Sequence, residues 1–226
     1  MNKKTTATSL YKNPTHSPRM AELIVSSLHH IQFINKELIL MMIDPNISPK
    51  VIAIGDSITR GHPDDYSWTK IVSKKLDIEI ENMGLKGDTF AGILMRLDKD
   101  VISKEPDFCI ITAGTNDFSL GYEVEDVKKQ IKEIIVELEK EGIIPVIGVP
   151  IPTIEEYAEK KLKLLRSWII AVCSHSIPFH KAFSQENLLS GSMLLDGVHP
   201  THEGHNRMAE VCSHELRMLI MHLNKH

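Results

Sequence analysis

The stretch that decides the fold reads Val51-Ile52-Ala53-Ile54-Gly55-Asp56-Ser57-Ile58-Thr59. Its first four residues are apolar and mostly β-branched, which predicts a buried strand. Gly55 lets the chain leave that strand sharply, and Ser57 would then project above the end of the strand. Open α/β sheets place their chemistry at this edge. Because Ser and Asp both cap helices well, the ordinary alternative for Ser57 is a helix N-cap.

Four further apolar runs alternate with amphipathic segments along the chain. They predict strands over residues 78–80, 108–112, 143–149 and 177–179. Helices are predicted over 68–76, from after Thr89 to about 103, and over 123–141, 155–174 and 201 to about 222. Nearly unbroken apolar strands that alternate with helices are typical of a parallel sheet covered on both faces. With right-handed crossovers, this pattern predicts a three-layer α/β/α sandwich of about five strands.

Composition and charge favour a globular protein without a nucleic-acid surface. The chain has 226 residues, of which 42% are hydrophobic and 25% charged, as is ordinary for one soluble domain. A net charge of −4 and a pI near 6.3 give no basic footprint for nucleic acid. Cys109, Cys173 and Cys212 lie in apolar segments without a CxxC pair, which favours small buried side chains and a reducing, cytoplasmic compartment.

The first 48 residues are predicted to form an appendage in two parts. Residues 1–19 are polar and rich in Lys, Thr, Ser and Pro, which predicts a disordered tail. In the extension of residues 20–48, apolar side chains recur at helical spacing over 20–43, which predicts an amphipathic helix. Polar residues such as His29, Lys36 and Glu37 argue against a signal peptide and a stable membrane anchor. We expect this helix to pack on the domain of residues 49–226 or on a second copy, giving a homo-oligomer. Docking on a membrane surface is less favoured, because the stretch is not strongly basic.

Two further candidates follow predicted strands. Asn116 lies in Gly114-Thr115-Asn116-Asp117, and Gly87 lies in Gly84-Leu85-Lys86-Gly87-Asp88-Thr89. A turn explains both residues, since Asn is favoured in turns and Gly tolerates positive φ. The functional interpretation is a side-chain amide donor at Asn116 and an approachable backbone N–H at Gly87, both aimed at developing negative charge.

The last candidate is the turn Asp196-Gly197-Val198-His199. An aspartate three residues before a histidine can bond one imidazole nitrogen, which fixes the tautomer and leaves the other nitrogen free to act as a base. For most of the twelve histidines a surface or capping role is the better interpretation. The Asp-x-x-His-Pro context distinguishes His199 from the other eleven.

The four segments together resemble the ordered blocks of the SGNH (GDSL-type) esterase/lipase superfamily. The resemblance covers about residues 50–222, and each block stands at the expected strand end. It implies a flavodoxin-like sandwich and ester hydrolysis that needs no metal or cofactor. It also implies that Ser57 is the nucleophile, His199 the general base and Asp196 its orienting partner. The implied oxyanion hole consists of the Ser57 N–H, the Gly87 N–H and the Asn116 side-chain amide.

A metal site is the first competing interpretation. His199, His202 and His205 stand three apart, with Glu203 between them. The helical zinc motif His-Glu-x-x-His needs its histidines four apart. We therefore favour polar residues in the first turn of the last helix, with Thr201 as a candidate cap, and expect no metal.

Two other enzyme classes have weaker support. Thr59 stands where the Gly-x-Ser-x-Gly nucleophile elbow of α/β-hydrolases has its second glycine. The order Ser, Asp, His fits both families, but the Gly87 and Asn116 blocks favour the SGNH type. No glycine-rich phosphate loop follows the first strand, so nucleotide binding is not supported.

Short loops at the predicted active edge favour an open, shallow pocket. We therefore expect a serine esterase for short-chain acyl or O-acetyl esters, with lysophospholipase or thioesterase activity as alternatives within the superfamily. The alternative outside enzymes is a binding module that kept the fold but lost turnover. Most apolar residues near this edge are expected to be core, and one or two to line an acyl pocket; they are Trp68, Phe118, Tyr122, Tyr157, Leu188, Leu189, Met193, Leu194 and Leu195.

Overall fold

The apolar runs form the strands of one parallel sheet. The computed structural model describes residues 48–184 and 191–223, and within them the strands are β1 (Val51–Gly55), β2 (Ile80–Gly84), β3 (Phe108–Thr112), β4 (Ile144–Gly148) and β5 (Ser176–Ile177). Every neighbouring pair is parallel, and the strand order is β2-β1-β3-β4-β5. This confirms the predicted parallel α/β sheet of about five strands, in the order of flavodoxin-like folds.

Several predictions lie outside the described residues. They are the disordered tail of residues 1–19, the helix and self-association surface of residues 20–43, and the pocket candidates Leu188 and Leu189. The boundary of the extension at residue 48 stays a prediction for the same reason.

Two strands are shifted from their predicted positions. β2 begins at Ile80 rather than Ile78, because Asp77 ends the preceding helix in a left-handed conformation (φ 55°) and the Ile78 N–H bonds back to Ser73. β5 ends at Ile177, because Phe179 opens a 3-10 turn. Ile78 and Ile80 are partly buried and pack against the core, and Ile177 and Phe179 are fully buried, so the shifts change the ends of the strands and not the core.

The helices fill the connections between strands. They are α1 (Ser57–Arg60), α2 (Trp68–Leu76), α3 (Phe90–Asp100), α4 (Thr115–Ser119), α5 (Val124–Lys140), α6 (Glu156–Val172) and α7 (His202–Leu223). The helix predicted from after Thr89 to about residue 103 ends early, at Asp100, and a separate 3-10 turn follows at Ile102–Lys104. Val101, with φ −128° and ψ −64°, leaves the helical conformation and ends α3. The short helices α1 and α4 were not predicted, because one turn carries no periodic signal.

The side chains of the sheet alternate between two apolar cores. On β1, Ile52 and Ile54 point to the face covered by α3, α5 and α6, while Val51 and Ala53 point to the face covered by α2 and α7. Helices thus cover both faces, which confirms the predicted three layers. Within the described ranges, no helix has the length and apolarity needed to cross a membrane.

The register aligns the ends of three strands. Gly55 is paired with Gly84 on one side and with Thr112 on the other. A Cβ on Gly55 would lie 2.3 Å from the Thr112 carbonyl oxygen, and one on Gly84 would lie 2.3 Å from the Arg60 nitrogen. Glycine at both positions therefore lets the backbone of β1, β2, β3 and α1 come together where the loops begin.

The core of α5 gives a matched test of this packing. Val127 is fully buried and Val136, on the same helix, is 47% exposed. We expect Val127→Ala to lower the free energy of unfolding by about 2 kcal/mol, from lost burial and a residual cavity. Val136→Ala should change it by less than about 0.5 kcal/mol. Urea denaturation of both variants measures the difference, and equal effects would contradict the assigned face of α5.

Candidate active site

The predicted nucleophile lies at the first position of α1, immediately after β1. Asp56, not Ser57, caps this helix, since the Asp56 carboxylate accepts a hydrogen bond of 2.9 Å from the Ile58 N–H. The alternative in which Ser57 serves as the N-cap is therefore wrong. The Ser57 side chain is free to make another contact, and the residue keeps 7% of its surface exposed.

That contact is with the predicted base. The Ser57 Oγ and the His199 Nε2 are 2.9 Å apart, although the two residues are separated by 142 positions in the sequence. The His199 Nδ1 lies 2.7 Å from the Asp196 Oδ2. A carboxylate at Nδ1 holds the hydrogen on that nitrogen, so Nε2 is left to accept from the hydroxyl. The structure thus brings the hydroxyl, imidazole and carboxylate into one line of hydrogen bonds.

The other oxygen of Asp196 holds the loop together. Asp196 Oδ1 accepts the Val198 N–H at 3.0 Å and the His199 N–H at 2.8 Å. Burial alone would raise the pKa of Asp196, but the hydrogen bonds from His199 and Val198 outweigh it and lower that pKa to about 2. The carboxylate therefore stays ionised at neutral pH beside the imidazole.

The two predicted donors from other loops also meet. The Asn116 side-chain amide donates to the Asp88 carbonyl oxygen at 2.9 Å, which attaches α4 to the loop that contains Gly87. Gly87 has a φ of 76°, and a Cβ placed on it would meet no atom within 4 Å. In the described part of the chain, no protein group accepts from the N–H of Ser57 or of Gly87. These N–H groups are available to a bound oxygen.

His62 is a neighbour of the site that the sequence analysis missed. Its ring centroid lies 4.5 Å from that of His199, and its backbone N–H bonds the Ser57 carbonyl. Burial, followed by nearby His199 and Lys86, lowers the pKa of His62. A neutral ring beside His199 adds no positive charge when His199 takes up a proton. Its closeness in sequence to Ser57 was the only signal that could have pointed to it.

Of the histidines considered as metal ligands, His199 and His202 bond different aspartates. His202 Nε2 lies 2.7 Å from Asp64 Oδ2, and the His202 ring stacks on Tyr66 with centroids 4.1 Å apart. His205 is buried, and burial, with His202 nearby, lowers its pKa to about 4. Among the described residues, no group of three His, Cys, Asp or Glu side chains could hold a metal ion. The predicted cap is present, because the Thr201 Oγ1 accepts the Gly204 N–H at 3.1 Å.

The apolar residues near this edge divide into two groups. Trp68 and Phe118 are fully buried in the two cores, so they do not line an open pocket. Tyr122, between α4 and α5, and Tyr157, in the first turn of α6, are exposed. Lys161 joins them, since its Nζ donates to the Tyr122 carbonyl oxygen and lies 4.7 Å from the centre of the Tyr157 ring.

Comparison with known proteins assigns the family. Residues 53–207 match the family described as GDSL-like Lipase/Acylhydrolase, a match that contains the whole constellation from Ser57 to His199. The chain belongs to this family. The GDSL-like assignment confirms the resemblance drawn from the four sequence blocks, and family membership supports a hydrolytic enzyme.

Individual relatives include an uncharacterized lipoprotein, an esterase and a G-D-S-L family structure. The chain is 32% identical over 120 residues to the uncharacterized lipoprotein YqeF of Bacillus subtilis, a match that spans 46% of this chain and about half (49%) of that protein. It is 24% identical over 170 residues to the esterase TesA of Pseudomonas aeruginosa, covering 71% of this chain and 84% of TesA. A lipolytic protein of the G-D-S-L family from Desulfitobacterium hafniense superimposes with a TM-score of 0.68 and 29% identity, covering 74% of this chain and 98% of the other.

Two buried carboxyl groups lie beneath this GDSL-like site. Burial raises the pKa of Asp56 to about 7 and that of Asp117 to about 6, and the nearby Asp117 contributes to the rise at Asp56. Asp56 caps α1, while the Asp117 Oδ1 accepts the Phe90 N–H at the start of α3. Both groups therefore fix helix starts at the site and resist ionisation there.

The raised pKa of Asp56 predicts a pH dependence of stability. Between its ordinary value of 3.8 and about 7, the folded state holds a proton that the unfolded state has released. The contribution of Asp56 to the free energy of unfolding therefore falls as the pH rises through this window. Asp56→Asn keeps an acceptor for the Ile58 N–H but cannot ionise, so it lacks this loss.

Urea denaturation at several pH values tests the sign. Relative to the wild type, Asp56→Asn should gain stability as the pH rises from about 4 to about 7, and the difference should then level off. Asp117 is present in both proteins, and its repulsion of an ionised Asp56, which only the wild type can form, acts in the same direction. Two curves that stay parallel across this range would contradict the buried, proton-retaining environment of Asp56.

Proposed function

We propose that this chain is a serine esterase that hydrolyses carboxylic esters, with short-chain acyl or O-acetyl esters as the favoured substrates. The observation that carries the proposal is the 2.9 Å contact between the Ser57 Oγ and the His199 Nε2. Membership of the GDSL-like family supports hydrolysis, and the esterase name of the relative TesA supports the ester as substrate. The cytoplasmic location expected from the cysteines belongs to the same proposal.

In the first half-reaction, His199 accepts the proton of Ser57 while the Ser57 Oγ attacks the ester carbonyl carbon. A serine hydroxyl is a weak nucleophile until a base takes its proton. The ionised Asp196 holds the ring in the required orientation and stabilises the imidazolium that forms. The tetrahedral intermediate then collapses, the alcohol leaves with the proton from His199, and an acyl group remains on Ser57.

The second half-reaction reverses these roles with water. His199 takes a proton from a water molecule, whose oxygen attacks the acyl carbon. Collapse of the second tetrahedral intermediate breaks the bond to the Ser57 Oγ, which recovers its proton from His199. The products are a carboxylic acid and an alcohol, and both steps use only groups of this chain and water.

Both intermediates carry an oxyanion. We assign its stabilisation to the N–H groups of Ser57 and Gly87 and to the side-chain amide of Asn116. The first two have no acceptor within the described residues, and Asn116 has a second amide hydrogen besides the one donated to Asp88. Donors that are already oriented stabilise the charge without reorganisation at the moment of reaction.

A second candidate substrate is a lipid-like ester, as in a lysophospholipase. Ile154 is 66% exposed and Leu195 is 55% exposed, and both adjoin the Asp196–His199 turn. The Ile154 N–H donates to the Gly197 carbonyl oxygen, and the Leu195 N–H donates to that of His199. Apolar side chains beside the site favour a longer acyl chain. A thioester substrate and a silent binding module remain the other outcomes of the test.

The activity test combines a substrate series with a nucleophile variant. We expect the wild type to hydrolyse chromogenic acetyl and butyryl esters faster than palmitoyl esters, and Ser57→Ala to abolish turnover. A fluorophosphonate probe should label the wild type stoichiometrically and leave Ser57→Ala unlabelled. A preference for long acyl chains would favour the lipid-like candidate. Absence of both hydrolysis and labelling would favour the binding module and reject the esterase.

The oxyanion assignment makes a separate kinetic prediction. Asn116→Ala should lower kcat by about 100-fold or more while KM changes less, because the lost donor acts on charge that develops during reaction. Asn206→Ala is a matched control. The Asn206 side chain, on α7, accepts a hydrogen bond of 2.8 Å from the Tyr66 hydroxyl and has no assigned part in the oxyanion hole. Steady-state kinetics on an acetyl ester measure both variants. Near-normal kcat in Asn116→Ala would remove Asn116 from the oxyanion hole.

A further inference from the structure

Arg96, on α3, makes a set of polar contacts that has no part in the functions described above. Its Nε donates to the Asp88 Oδ2 at 2.8 Å, and its Nη2 lies 2.7 Å from the same oxygen. Its Nη2 also donates to the carbonyl oxygens of Met83 at 2.8 Å and Gly55 at 3.3 Å, and its Nη1 donates to Asp100 at 2.8 Å. Only 14% of the side chain is exposed, so these contacts are poorly screened by solvent.

The partners of Arg96 lead directly to the proposed oxyanion donors. Gly55 is the last residue of β1, two positions before Ser57. Asp88 follows Gly87, and its carbonyl oxygen accepts the amide of Asn116. One guanidinium therefore contacts the strand end before the first donor, the loop of the second, and the residue that binds the third.

The loop at Asp88 is built around this contact. The Asp88 Oδ1 accepts the Thr89 N–H at 3.0 Å, while its Oδ2 faces the guanidinium. A Cβ on Gly92 would lie 2.0 Å from the Asp88 Oδ1, so glycine in α3 leaves the space that this carboxylate fills. The side chain of Asp88 is thus fixed from both sides, and its backbone with it.

We propose that Arg96 is a positioning residue that holds the oxyanion donors of Gly87 and Asn116 in register with Ser57. This inference rests on the proposed esterase function. Arg96 acts through Asp88 and through the ends of β1 and β2, and it does not touch the ester. A mutation far from the reacting atoms that misplaces a catalytic group by about 1 Å is enough to lower the rate about 100-fold.

The shape of the guanidinium matters as well as its charge. Its three coplanar nitrogens reach two carboxylates and two carbonyl oxygens, which the single ammonium group of lysine cannot reproduce. Arg96→Lys therefore keeps the positive charge but separates the loop from the strand ends. We expect kcat on an acetyl ester to fall about 10- to 100-fold with little change in KM. The rate of fluorophosphonate labelling at Ser57 should fall in parallel.

Two comparisons separate positioning from general destabilisation. Val127→Ala weakens the core away from the site and should keep the wild-type kcat despite its lower stability. Asp88→Asn removes the charge that Arg96 binds, and should lower kcat in the same direction. If Arg96 acts through Asp88, the double variant should lose less than the product of the two single losses. Asp88→Asn also serves as the test if Arg96→Lys does not fold.

Each outcome decides the inference. Wild-type kcat in Arg96→Lys, with an active wild-type enzyme, would overturn the positioning role and leave the esterase function intact. Independent, multiplicative losses in the double variant would overturn the route through Asp88. A kcat loss in Val127→Ala as large as that in Arg96→Lys would show that stability alone explains the effect. A wild type that neither hydrolyses esters nor reacts with the probe would overturn the proposed function and this inference together.

Discussion

The alignment of Gly55, Gly84 and Thr112 at one level of the sheet is the constraint on which the site depends. The loops after β1, β2 and β3 begin at this level, so Ser57, Gly87 and Asn116 reach one edge despite their distance in sequence. The Leu85 N–H donates to the Gly55 carbonyl at 2.8 Å and continues the pairing past the end of β2. A side chain on Gly55 or Gly84 would force the strands or α1 apart, and with them the groups assigned to the oxyanion.

Stability is reduced beneath the same edge. Asp56 and Asp117 are buried near one another, and burial raises the pKa of each. Ionised carboxylates in such a place oppose folding, and their hydrogen bonds to the Ile58 and Phe90 N–H groups offset only part of that cost. Asp56 fixes the turn that presents Ser57, while Asp117 joins α4 to the start of α3. Burial of these two carboxyl groups lowers stability, but the same groups help to shape the site.

The sequence predicted the fold and the candidate residues because both depend on order along the chain. Apolar runs that alternate with amphipathic segments specify a parallel layered sheet, and such a sheet brings the residues after its strands to one edge. The contacts of His62 and Arg96 depend instead on packing. Arg96 meets carbonyl groups of two strands, and no spacing around position 96 encodes those partners.

The ends of some helices and strands also could not be predicted from the sequence. The start of β2 depends on the left-handed conformation of Asp77. Aspartate adopts this conformation more readily than most residues, but nothing in the sequence around Asp77 indicated it. The helices α1 and α4 are single turns whose caps and neighbours specify them. In both cases the deciding feature spans only a few residues, which is too short for a periodic pattern to indicate it.

The acid–base half of the site is held by a different set of contacts from the oxyanion half. The Gly197 carbonyl accepts the Thr153 Oγ1–H and the Ile154 N–H, each at 3.0 Å, which ties the turn to the loop after β4. The Thr153 N–H in turn donates to the Glu159 carboxylate, which is paired with Arg166 on α6. Arg96 and Arg166 bind separate loops. The oxyanion donors and the acid–base pair on either side of the nucleophile are therefore held by separate contacts. Electrostatic preorganisation requires a rigid site. Contacts with helices and strands give this rigidity to a site that is built on loops.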